Sequence, residues 1–114
     1  MRHDPNICIR DAIDACELIL AFTAGYSLQQ YQTDLRTKAA VEREFEIIGE
    51  ALNRINKIDP GKLESITDWQ QIIQFRNVIA HGYDIVEDEL VLESILEDLP
   101  VLLSELKALI DKNE

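Results

Sequence analysis

Arg76, Asn77, His81 and Tyr83 place a guanidinium, an amide, an imidazole and a phenol within eight residues, in the stretch RNVIAHGY. Histidine titrates near neutrality and passes protons, and arginine presents a permanent planar donor set matched to phosphate oxygens. Asn77 can hydrogen-bond to an imidazole, a phosphate or a ribose hydroxyl. Such groups suit phosphodiester cleavage, in which one removes the 2′-hydroxyl proton, another protonates the leaving oxygen, and the guanidinium stabilises charge at phosphorus. The other histidine, His3, lies in the N-terminal lead-in, so one chain brings only one imidazole to this stretch. A two-fold dimer would set two Arg/His pairs across a shared groove and draw acid and base from equivalent residues. By spacing alone the same residues also have structural uses. A histidine near a helix C-terminus is a favourable dipole partner, a helical arginine forms salt bridges, and Tyr83 can simply pack.

The element that positions these groups is a helix capped by Asp68 and opening with Trp69. Trp69, Ile72, Ile73 and Ile79 supply its core side. Asn77 and His81, four apart, share a face. Arg76 stands roughly 140° from His81 around an ideal helix, but its side chain is long enough to swing back. Gly82 fits the position just past the helix end, where a left-handed backbone suits glycine, and Tyr83 follows beyond it.

Before this lies the longest clear helix, capped by Asp34 and ending near Ile58, where Asp59-Pro60-Gly61 forms a turn. Val41, Phe45, Ile48, Leu52 and Ile55 step by four and three along one buried face. Glu42, Glu46, Gly49, Glu50 and Asn53 form a second stripe. Its glutamates are either a solvated face or partners that orient Arg76 or another chain. Gly49 costs about 1 kcal/mol against alanine within a helix, which points to a close neighbour there. Asp4-Pro5 starts a first helix with Ile9, Ile13, Cys16 and Leu20 on its buried face and Gly25 at its end. Residues 27–32 read as a short helix or turn, and residues 62–67 as a linker. A leucine-rich last helix is expected over 88–112, kinked at Pro100. The fold class is therefore all-α, an up-and-down bundle of four main helices with one short extra helix.

Composition sets the outer bounds. A chain of 114 residues, 46% hydrophobic, is long enough to bury a core without metal or disulfide support. It has no apolar run near the roughly 18 residues of a membrane span, and MRHDPN lacks a signal-peptide hydrophobic region, so a cytoplasmic protein without membrane partners is expected. Cys8 and Cys16 would lie roughly 12 Å apart along one helix, too far to pair, and read as small buried residues. The net charge of −11 argues on its face against nucleic acid, yet eight of those units fall from Asp84 onward. The remainder is close to balanced and leaves room for a local basic site.

Two segments, AVEREFEIIGEALNRI (residues 40–55) and DWQQIIQFRNVIAHGYDIVE (residues 68–87), followed by the leucine-rich helix, together resemble the HEPN superfamily and, within it, the HepT-like toxins. The first resembles that group's long helix with its Ile-Gly-Glu-Ala core; the second carries Arg-x4-His-x-Tyr with asparagine after the arginine. The resemblance implies a single HEPN-like domain over residues 1–114. It also implies a metal-independent ribonuclease that needs no cofactor and works from the cleft of a homodimer or larger oligomer. RNA, with tRNA by analogy, is the implied substrate, and a small MntA-like nucleotidyltransferase the implied antitoxin. Arg76 and His81 match the catalytic pair, Asn77 the polar position that supports it, and Tyr83 the tyrosine that such antitoxins modify with AMP. The competing reading is a non-catalytic helical partner that binds and regulates a nucleotidyltransferase.

Overall fold

The computed structural model describes residues 4–80 and 88–113, with backbone alone for 76–80 and 111–113. Among these residues the chain is an all-helical bundle. Its elements are α1 (Pro5–Phe22), α2 (Leu28–Thr33), α3 (Leu35–Ile58), a 3-10 segment (Pro60–Ser65), α4 (Trp69–Ala80) and α5 (Asp88–Asn113).

The starts of these helices are written in local chemistry. Asp4 caps α1, its carboxylate accepting from the Asn6 N–H at 2.9 Å, and Pro5 follows where a missing N–H costs nothing. Ser27 and Gln30 form a reciprocal capping box on α2, at 2.8 and 3.1 Å. Asp34 ends α2 and caps α3. Its carboxylate accepts from the Thr37 N–H at 3.1 Å, the Thr37 hydroxyl at 2.8 Å and the Tyr26 hydroxyl at 2.6 Å. The Tyr26 bond first, and then the two from Thr37, hold the Asp34 carboxyl at about 2. Gly25, at φ 75°, lies in the turn between α1 and α2, closed by a 2.9 Å bond from the Tyr26 N–H to the Thr23 carbonyl.

Long-range packing follows from two stripes. Val41, Phe45, Ile48, Leu52 and Ile55 of α3 are all buried, as are Leu92, Ile95, Leu99, Leu102, Leu106 and Leu109 of α5. α3 packs on α1 and α4, and α5 packs on α1 and α2. Pro100 sits on the exposed side of α5, which continues through it. Both cysteines are free and buried. Burial, reinforced by the nearby Glu17 charge, pushes the Cys16 thiol up to about 12, and burial likewise raises Cys8. Neither is a thiolate nucleophile at neutral pH.

The expected linker at residues 62–67 is instead largely the 3-10 segment, packed on α3, with Leu63 and Ile66 buried. Residues three apart eclipse in a 3-10 helix, so two apolar side chains suffice to anchor it, too few to register as a period. No helix among the described residues is long and apolar enough to cross a membrane.

Candidate functional site

α4 carries Arg76 and Asn77 and is described as far as Ala80. The expected helix under the reactive stretch is present up to that residue; His81, Gly82 and Tyr83 lie outside the described residues. The helix is entered through Asp68, whose φ of 55° is left-handed rather than the extended geometry usual at an N-cap. Aspartate tolerates that region, and its carbonyl accepts from the N–H groups of Gln71 and Ile72 at 3.0 and 3.2 Å. Trp69, Ile72 and Ile73 pack against the core as expected, and so does Phe75. Phe75 meets Phe45 of α3 edge to face, with centroids 5.1 Å apart at 89°. This pair seats α4 on α3 one residue before Arg76.

The return of the chain into α5 is fixed from α3. Lys38 Nζ lies 2.9 Å from Asp88 Oδ2, with the two side chains 22% and 20% exposed. The candidate stretch therefore runs between two anchored points, the Phe45-seated α4 and an Asp88 held by Lys38. Tyr31 is fully buried nearby; burial first, then the carboxylates of Glu42 and Asp88, push its phenol upward, so it stays neutral. Sequence reasoning missed the Lys38–Asp88 pair and the Phe45–Phe75 contact as supports of the site. The ion pair joins residues fifty apart and has no local signal.

Two glutamates of the second stripe, Glu46 and Glu50, pair with arginines of α3 itself. Arg43 Nη1 lies 3.7 Å from Glu46 Oε2, and Arg54 Nη2 lies 3.2 Å from Glu50 Oε1. These residues line a cleft of about 320 Å³ between α1 and α3, with Cys8 and Asp11 opposite. Gly49 is buried.

Comparison with known proteins adds an independent line. The family model described as ribonuclease HepT-like matches residues 12–109. A Thermococcus cleftensis protein named probable ribonuclease HepT is 31% identical over 102 residues, covering 90% of this chain and 92% of its own. A candidate RNase of Caldanaerobacter subterraneus subsp. tengcongensis is 27% identical, covering 96% of this chain and 97% of its own. A candidate RNase of Methanocaldococcus jannaschii is 24% identical, covering 93% and 96%. No solved structure matches. With its helices in place and the family model spanning α3, α4 and nearly all of α5, the chain belongs to the HepT-like ribonuclease family of the HEPN superfamily.

Proposed function

We infer that this protein is the toxin of a toxin–antitoxin pair, an endoribonuclease that cleaves RNA, with tRNA as the substrate class by analogy, and needs no metal ion. The observation that carries the reading is the family match over residues 12–109, which takes in α4 and the whole of RNVIAHGY. His81 withdraws the proton from a ribose 2′-hydroxyl, and that oxygen attacks the adjacent phosphorus. The bond from phosphorus to the 5′ oxygen breaks, the 5′ oxygen takes a proton from His81 of a second copy, and the products are a 2′,3′-cyclic phosphate and a 5′-hydroxyl. Arg76 stabilises charge on the non-bridging oxygens, and Asn77 orients the phosphate or the imidazole. The site is thus composite and needs a homodimer.

Tyr83 is the off-switch. A cognate MntA-like nucleotidyltransferase joins its phenolic oxygen to the α-phosphorus of ATP and releases pyrophosphate. The added phosphate places negative charge where the RNA phosphate must sit.

Purified unmodified protein incubated with total tRNA in EDTA should cut it, and His81→Ala should lower the rate by about 10²–10⁴-fold, the contribution typical of a general acid or base. Equal activity of His81→Ala and wild type would sink the catalytic assignment. Overexpression without the antitoxin should arrest growth; harmless overexpression would favour the non-catalytic partner. Co-expression with the transferase should add AMP mass to the peptide containing Tyr83, and modification mapped elsewhere would reject that assignment.

A further inference from the structure

We propose that the groove between α4 and α5 docks a basic amphipathic helix of a partner protein. α4 packs on α3 while α5 packs on α1 and α2, and between α4 and α5 a groove of about 410 Å³ remains open. Phe45, Ile72 and Phe75 line its inner part, and Leu90 and Val101 of α5 line its outer wall. Those two α5 side chains are 56% and 49% exposed, so apolar surface is left in water where covering it is favourable. Along α5 the lining runs from Leu90 to Glu105 in helical steps, a length of roughly 22 Å.

The rim specifies the charge of the occupant. Asp68, Asp98 and Glu105 all line the groove, and none of the described lining residues is basic. Glu105 is held in place by Thr67, accepting from its N–H at 3.0 Å and its hydroxyl at 2.9 Å, and Asp98 accepts from Ser94 at 3.2 Å. These bonds fix the carboxylates without neutralising them. The complementary ligand is a helix with apolar residues at i, i+3, i+4 and i+7, flanked by Lys or Arg, a helix-in-groove mode of recognition. Nucleic acid is disfavoured because its phosphates would face three carboxylates. A second copy laid symmetrically along the groove would bring the same acidic rim against itself. The proposal rests on the groove alone and is independent of the ribonuclease reading.

The test uses the full chain and a fluorescein-labelled leucine/lysine helical peptide of about 14 residues, roughly the length of the groove at 1.5 Å per residue. Fluorescence anisotropy should show saturable binding, and a leucine/glutamate peptide of the same pattern should not bind. Leu90→Lys, Val101→Lys and Asp98→Lys should each weaken binding by about tenfold or more. Asp14→Lys, the same charge change on the exposed face of α1, should leave it within about threefold. Equal weakening by Asp14→Lys and Asp98→Lys would overturn the proposal in favour of unspecific attraction to an acidic protein. A self-associated form that sedimentation shows to be dissociated by Val101→Lys would assign the groove to a second copy and overturn it too. Circular dichroism checks each variant, and Asp98→Asn replaces any lysine variant that fails to fold.

Discussion

The two flanks of α3 handle charge in opposite ways. Toward α1, the cleft holds Arg43 and Arg54, and each guanidinium is met by a glutamate one turn away on the same helix. Toward α4, α3 contributes the Phe45 ring, and the groove beyond it is apolar with a carboxylate rim and no described cation. On the first flank both described cations have a carboxylate partner on their own helix. The second leaves apolar surface exposed and sets its carboxylates against no cation among the described lining residues, which is why it reads as a surface for another molecule.

The largest expected effect on this comparison comes from Phe45→Ala. Phe45 is 3% exposed and seats Phe75, so truncation should cost about 3–5 kcal/mol in denaturant unfolding and loosen α4 beneath Arg76. A cost under about 1 kcal/mol would show that the α4 flank is not held through this ring pair.

A middle effect concerns a third way of meeting charge, at the start of α3. The Asp34 carboxyl stands at about 2 in the folded protein against an ordinary 3.8, so folding binds fewer protons there than the unfolded chain does. The stabilisation is fully present above about pH 4 and is lost as pH falls toward about 2. Tyr26→Phe removes the strongest of the three hydrogen bonds, so the folded carboxyl should rise and this window should narrow from its acid end. Acid unfolding of the two proteins followed by circular dichroism checks it; superimposable curves would remove Tyr26 from the account.

The smallest effect belongs to Arg54→Gln on the α1 flank. Its pair with Glu50 is about half exposed on both sides, so the loss should be about 0.5 kcal/mol or less and should vanish in high salt. A loss several times larger would mean that the cleft is a built site and not a self-compensated surface.

Much of the fold was legible because helix signals are local. Asp4-Pro5 and Asp34 mark helix starts, and the Val41-to-Ile55 and Leu92-to-Leu109 stripes mark the faces that the structure buries. The 3-10 segment was not legible, since Leu63 and Ile66 make one turn and no period. Of the candidate site, the helix beneath Arg76 and Asn77 could be read from Trp69 onward, while the supports on either side of the stretch could not. Tyr26 offered no local sign that its hydroxyl would close on Asp34 eight residues later.

By itself, then, the sequence determined the helices and their buried faces and singled out a candidate stretch, because caps, periodicity and motif spacing depend on residues within a few positions of one another. Only the tertiary structure decided that Lys38 meets Asp88, Phe45 meets Phe75 and Thr67 meets Glu105. It also decided that α4 and α5 part around an acid-rimmed groove. Those pairings depend on how whole helices pack, and packing is set by the summed shape of many side chains, which no single stretch of sequence contains.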